Sequence, residues 1–244
     1  MEPFRFKHFA LRHEASSQRI GTDSVLLGVL APIENVHTVL DVGCGCGVIG
    51  FCIADRLRRA GNKDIVITGV DIDTASVQEA QENAAHFPTP DAIRFEFRKE
   101  SIQEHVRLAE PHCYDLIVSN PPFFVSSLKP ADERRRQARH TDGTLSFCEL
   151  AEGASKLLTP AGRFAVILPT TESKAFEEAA TGHLHLMQQT VIRPLPGKPV
   201  HRIVSIFTLK PVSHVEQAEL SIRDEGHHFS EGYRQLTKEF YLEF

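Results

Sequence analysis

An apolar strand that runs into alternating glycines and then into a helix is the feature that most limits the folds open to this chain. Thr38-Val39-Leu40-Asp41-Val42 is followed by Gly43-Cys44-Gly45-Cys46-Gly47, and residues 48–57 continue as a helix-like apolar stretch. Glycines tolerate positive φ and let a ligand come close to the backbone, while a helix start presents unpaired N–H groups. Dinucleotide sites, P-loops and plain tight turns share that outline. No Lys-Ser/Thr pair follows the glycines, which argues against a P-loop, and Gly43-x-Gly45-x-Gly47 is not the Gly-x-Gly-x-x-Gly of a dinucleotide site. The next apolar strand, residues 65–70, ends in Asp71-Ile72-Asp73. That places an acid where a nucleotide-binding α/β unit grips a ribose.

Strand and helix patterns alternate beyond this unit. Thr74 to Ala85 reads as an amphipathic helix capped by Thr74, with Val77, Ala80 and Ala84 facing inward. Residues 93–97 and 114–119 read as the third and fourth strands. Residues 145–158 read as a helix stopped by the turn signal Thr159-Pro160-Ala161-Gly162, with a fifth strand at 163–168. Residues 187–193 and 203–210 read as two last strands, joined through a Pro-rich connection. Residues 1–32 form an N-terminal extension packed on the rest, and 1–244 reads as one domain. Such alternation predicts an α/β, doubly wound sheet with its ligand above the strand C-termini, at the switch in strand order.

The fourth strand ends in Asn120-Pro121-Pro122-Phe123. Two prolines remove two backbone donors and stiffen the turn, leaving carbonyls free to face a ligand. The Asn120 side-chain oxygen can accept from an amino group, and Phe123 offers a flat face on which a base can stack. These parts suit a planar substrate whose exocyclic NH2 reacts.

Together, the glycine loop preceded by Asp41 and the Asn-Pro-Pro-Phe turn make the chain resemble the class I, amino-group-modifying S-adenosylmethionine (SAM) methyltransferases. Phe4-Arg5-Phe6-Lys7-His8-Phe9, then Arg19-Ile20-Gly21-Thr22-Asp23-Ser24-Val25-Leu26-Leu27-Gly28, narrow the likeness, as do Gln137-Ala138-Arg139-His140, Pro199-Val200-His201-Arg202 and the closing segment from Phe229 to Leu242. Over nearly its whole length the chain is similar to the bacterial tRNA1(Val) (adenine(37)-N6)-methyltransferases. That resemblance implies a Rossmann-like, mostly parallel seven-stranded sheet with one antiparallel edge strand, SAM as cofactor, and N6-methylation of the adenine 3′ of the anticodon of a valine tRNA. It further implies Asn120, Pro121, Pro122 and Phe123 as catalytic residues. Asn120 and a carbonyl of the turn accept from the target amine, and Phe123 stacks on the extruded base. The cofactor falls to Thr22, Asp23, Asp41, Gly43, Cys44, Gly45, Asp71, Ile72, Ser101, Ile102 and Asn120, with Asp41 ordering the loop or meeting the ligand's ammonium. Many SAM enzymes have an Asp after the third strand, on the cofactor's adenine. Here Ser101 stands at that place, with Glu100 the alternative if the register shifts by one. The same turn also serves methylation of guanine N2 in rRNA or of a protein glutamine amide, and a SAM-binding module without transferase activity is the reading from a different class.

The formal net charge is −5, so an RNA partner must be held by local clusters and not by the overall field. Arg134, Arg135, Arg136, Arg139 and His140 lie shortly after Phe123 and are the expected RNA-binding group; the competing reading is a solvated helix face paired with Asp132 and Glu133. Arg5, Lys7, His8, Arg12 and His13 form a second basic cluster, though the alternation of Phe4 and Phe6 with Arg5 and Lys7 equally suits the edge of a scaffold. Five cysteines, an odd count, argue against a disulfide framework. The spacing of Cys44, Cys46 and Cys52 matches no zinc pattern, so no metal is expected. No apolar run approaches the roughly 20 residues of a membrane span and no signal core opens the chain. A cytoplasmic enzyme, monomeric and without a membrane partner, is the expectation.

Overall fold

The computed structural model describes residues 2–16, 19–88, 92–121 and 145–244. Among them, eight strands form one sheet. In chain order these are β3 (Thr38–Val42), β4 (Ile65–Asp71), β5 (Ile93–Lys99), β6 (Tyr114–Ser119), β7 (Leu158–Leu168), β8 (His185–Arg193), β9 (Arg202–Thr208) and β10 (Glu216–Ser221). A short antiparallel pair, β1 (Phe4–Arg5) and β2 (Ala10–Leu11), precedes them. The helices are α1 (Thr22–Leu30), α2 (Val48–Arg59), α3 (Thr74–Ala85), α4 (Ile102–Leu108), α5 (Phe147–Leu157), α6 (Thr170–Ala180) and α7 (Glu231–Thr237).

Across the sheet the order is β10-β8-β9-β7-β6-β3-β4-β5. β9 is antiparallel to both β7 and β8, and the other adjacent pairs are parallel. The expected fold class is therefore the one found, with two corrections of detail. The described sheet has eight strands, not seven, and its reversed strand lies inside the sheet, not at the edge. β9 (RIVSIFT) is apolar and buried along most of its length, as a strand with a neighbour on each side must be. The edge position belongs to β10 (EQAELS), which is exposed over most of its length and carries no apolar period by which it could be read.

Helices cover both faces, and alternate strand residues feed two cores. Val39 of β3 joins the core that holds α1, α2 and α3, whereas Leu40 joins the one that holds α5 and α6. The N-terminal residues are integral to the first core, because Phe6, Phe9 and Leu11 are buried there beside Phe240 of the C-terminal segment. Lys7 N–H donates to the Phe240 carbonyl at 2.8 Å, and His8 Nδ1 meets Asp55 Oδ2 at 3.0 Å. Arg12 pairs with Glu82. The second basic cluster is thus tied into the protein through Lys7, His8 and Arg12, which fits the scaffold reading better than phosphate binding.

Two local expectations are corrected. Asp73, not Thr74, caps α3, its carboxylate accepting from Ser76 N–H at 3.0 Å. An acid in extended backbone before the first turn makes the better cap. Thr159-Pro160-Ala161-Gly162 does not separate helix from strand, because β7 starts at Leu158. Its pairing jumps from Tyr114↔Leu158 to Leu116↔Arg163, so the turn-forming residues bulge out of a continuing strand. No described helix is long and apolar enough to cross a membrane.

Candidate active site

β3 is flanked by β4 on one side and β6 on the other, so the chain reverses its direction across the sheet there. The carboxyl ends of β3, β4, β5 and β6 deliver Gly43, Asp71, Glu100 and Asn120 to the same edge, where open α/β sheets bind ligands.

The glycine loop is held from below by β4. Gly43 and Cys44 N–H donate to the Val70 carbonyl at 2.9 and 3.1 Å, and Gly45 N–H donates to Asp71 Oδ2 at 2.9 Å. Gly43, Gly45 and Gly47 all have positive φ. A Cβ on Gly47 would stand 2.7 Å from Phe51 and 2.9 Å from Phe97, so only glycine fits there, whereas a Cβ on Gly43 would meet nothing within 4 Å. The loop therefore packs tightly where it enters α2 and leaves open space beside its first glycine. Cys44 does not face that space: its side chain is buried, and burial pushes its thiol well up.

Asp41 is fully buried, and its Oδ2 accepts from Gly50 N–H in the first turn of α2 at 3.1 Å. Its other oxygen receives no hydrogen bond from the described residues. Burial raises the carboxyl from 3.8 to about 7, the Gly50 N–H opposes this, and the neighbouring charge of Asp71 adds to it. Asp71 is only partly buried, and its second oxygen accepts from Asp73 N–H at 2.9 Å. Ile72 beside it is a large apolar side chain with 61% of its surface exposed. An orphaned buried acceptor, an open glycine cradle, a carboxylate with lone pairs to spare and an exposed apolar face suit a cationic, ribose-bearing, flat cofactor.

The residues after β5 are more constrained than their sequence suggested. Ser101 caps α4 in a reciprocal capping box, its hydroxyl donating to Glu104 Oε2 at 2.8 Å while accepting from Glu104 N–H at 3.2 Å. Glu100 Oε2 lies 2.8 Å from Nδ1 of the buried His105, whose Nε2 meets the Tyr114 hydroxyl at 2.9 Å. Both candidates for the cofactor's adenine are thus engaged locally. The Ile102 side chain is in the core, so only its backbone remains for a ligand.

Asn120 follows β6, and its Nδ2 donates to Ser24 Oγ of α1 at 3.1 Å. Beside it opens a cleft of ≈ 490 Å³ lined by Arg19, Thr22, Asp23, Asn120, His201 and Arg202, among others. Asp23 is ion-paired across this cleft, its Oδ2 accepting from Arg202 Nε at 2.7 Å. Three segments far apart in the chain, each singled out in the sequence, therefore meet at one place. Ser24, His201 and Arg202 lay within the quoted segments but were given no role. The one signal in the sequence was the opposite charge of Asp23 and Arg202. Pro121 is buried beside Asn120. Pro122, Phe123, Arg134, Arg135, Arg136, Arg139 and His140 lie outside the described residues.

The N-terminal segment is clipped over this edge from α3. Buried Glu79 accepts from the backbone N–H groups of Glu14, Ala15 and Ser16 at 2.8, 3.0 and 2.9 Å. Asn83 donates to the carbonyls of Arg12 and Cys46 at 2.9 and 3.1 Å, tying strap, helix and glycine loop together. Neither side chain was singled out in the sequence, where both read as ordinary polar positions of a helix. Among the described residues no three His, Cys, Asp or Glu side chains are grouped to hold a metal.

Residues 33–205 match the family model of a methyltransferase domain. The chain is 39% identical over 240 residues to the tRNA1(Val) (adenine(37)-N6)-methyltransferase of Phocaeicola vulgatus, covering 98% of this chain and 97% of that one. It is 37% identical over 243 residues to the enzyme of the same name from Pseudoalteromonas translucida, covering 99% of each. Among solved structures, a predicted O-methyltransferase from Agrobacterium tumefaciens superposes with a TM-score of 0.63 at 17% identity, over 89% of this chain and 96% of that one. TrmN from Thermus thermophilus does so with a TM-score of 0.52 at 21% identity, over 77% of this chain and 48% of that one. These two share the fold.

Proposed function

The chain belongs to the tRNA1(Val) (adenine(37)-N6)-methyltransferase family, and from that premise we infer that it methylates N6 of adenine 37, beside the anticodon of a valine tRNA, with SAM as methyl donor. The observation that carries the reading is Asn120 at the end of β6, with its amide nitrogen donating to Ser24 and, among the described residues, no hydrogen bond on its oxygen.

SAM supplies a methyl group on a positively charged sulfur, which makes a strong general base unnecessary. The protein's own task is to bind, orient and exclude water. Asp71 would accept from the ribose hydroxyls, and exposed Ile72 would cover a face of the cofactor's adenine. The open side of Gly43 would receive the methionine end, with Asp41 Oδ1 facing its ammonium. The second oxygen of Glu100 would accept from the cofactor's adenine amino group, and the Ile102 N–H, at the start of its helix beside Ser101, would donate to a ring nitrogen of that adenine. Adenine N6 is a poor nucleophile because its lone pair is delocalised into the ring. Asn120 Oδ1 and the Pro121 carbonyl would accept its two hydrogens and favour a pyramidal nitrogen, and Phe123 would stack on the base. Ordered approach of nitrogen to methyl can supply several kcal/mol of the rate, on the order of what positioning gives elsewhere. Arg134, Arg135, Arg136, Arg139 and His140 would hold anticodon-loop phosphates. A monomer acting in the cytoplasm completes the reading.

Incubating the protein with methyl-labelled SAM and total tRNA, then mapping the labelled nucleoside, tests it. N6-methyladenosine at position 37 of one valine tRNA is the expected product. Label in guanine, in protein, or nowhere would refute it.

A further inference from the structure

Asn120 can accept from an amine only through its oxygen, because the other end of the carboxamide is itself an NH2 and has no lone pair to offer. A carboxamide free to turn about its last torsion presents either end, so the site needs something that holds the nitrogen away from the cleft. We propose that Ser24 does this. It is a positioning residue that takes the Asn120 Nδ2 hydrogen at 3.1 Å and so aims Oδ1 at the target nitrogen, a role that rests on the reading of Asn120 as the amine's acceptor.

The placement of Ser24 is itself built. The residue is 8% exposed, on the first turn of α1, and α1 is fixed at both ends. At its start, Asp23 is paired with Arg202 of β9 at 2.7 Å. At its finish, Arg56 Nη1 of α2 donates to the carbonyls of Gly28 and Ala31 at 2.9 and 2.6 Å. Between these points α1 lies directly on α2, where a Cβ at Gly28 would stand 2.6 Å from Cys52 Cβ. A helix without these ties would let the hydroxyl drift by more than a hydrogen bond tolerates. The ion pair between the two terminal motifs thus acts on the reaction through Ser24, across 96 residues of sequence from Asn120.

The test uses the full chain with SAM and valine tRNA. Ser24→Ala should lower the single-turnover rate about 3- to 10-fold, the worth of one neutral hydrogen bond, with SAM affinity unchanged. Ser24→Thr, which keeps the hydroxyl, should fall between it and the wild type. In an Asn120→Ala background, Ser24→Ala should cost nothing more. Amide exchange gives a readout independent of turnover: the Asn120 side-chain NH2 resonances, assigned by their loss in Asn120→Ala, should exchange faster in Ser24→Ala. A Ser24→Ala protein with full turnover, with multiplicative loss in the Asn120→Ala background, or with unchanged Asn120 exchange would overturn the assignment. Should Ser24→Ala fail to fold, Ser24→Cys keeps the volume with a poor acceptor and is held to the same outcomes. If the wild type methylates no tRNA, the reading of the reaction falls, while the exchange comparison still decides the role of Ser24.

Discussion

Asp41→Asn removes a fully buried carboxylate at the base of the glycine loop while keeping its shape, and it should change how stability depends on pH. In the folded protein burial raises Asp41 from 3.8 to about 7, against the pull of the Gly50 N–H and with help from the charge of Asp71. Between those values the folded chain holds a proton that the unfolded chain has released. Stability therefore falls as pH rises through the window, and levels off above about 7. At about 1.36 kcal/mol per pH unit, the full penalty for ionising the buried group is about 4 kcal/mol, and the part lost between pH 5 and 8 is about 2.5 kcal/mol. An asparagine oxygen still accepts from Gly50 N–H but carries no proton to lose. The stability of Asp41→Asn relative to the wild type should consequently rise by about that amount from pH 5 to pH 8. Urea unfolding of both proteins at several pH values measures it, and titrations common to both cancel in the difference. If the orphaned oxygen also meets the cofactor's ammonium, wild-type SAM affinity should climb over the same window and that of Asp41→Asn should not. A variant–wild-type stability difference that is flat from pH 5 to 8 would refute the burial argument outright.

Asp71→Ala should weaken SAM binding by about 1.5–3 kcal/mol, a ten- to hundredfold rise in Kd, because the ribose loses a charged acceptor and Gly45 N–H loses its anchor; calorimetry showing unchanged affinity in a folded variant would remove Asp71 from the site. Gly47→Ala should cost about 2 kcal/mol or more, since the position combines φ +85° with a Cβ 2.7 Å from Phe51. Thermal denaturation should show a fall of about 5 °C or more for a chain of this size. Replacing Arg134, Arg135, Arg136 and Arg139 by Ala should weaken tRNA binding and flatten its salt dependence with SAM binding intact, because each lost phosphate contact removes released counterions. Filter binding at several salt concentrations decides the point, and an unchanged slope favours a solvated face.

The local code of this protein was legible in the sequence. Apolar runs of four to seven residues, glycines that need positive φ and an acid after the second strand are readable because each depends on neighbours within a few residues. They located β3 to β6, the glycine loop and the positions of Asp41, Asp71 and Asn120 without reference to anything distant. Where the pattern was thin, the reading was too. β10 carries no apolar period, and Thr159 to Gly162 look like a turn although β7 runs through them. Only tertiary structure brought α1, β6 and β9 together. The Asp23–Arg202 pair spans 179 residues, and neither partner's burial or orientation is encoded in its own neighbourhood. The same holds for Asn120 and Ser24, and for Glu79, which looked like one more polar position on α3 until three backbone N–H groups of the N-terminal strap were found on it. Side-chain type and spacing determine which chemistry is possible; which end of the Asn120 carboxamide is held by Ser24 is decided by a helix that the chain finished about ninety residues earlier, because a hydrogen bond depends on positions in space and not on distance along the sequence.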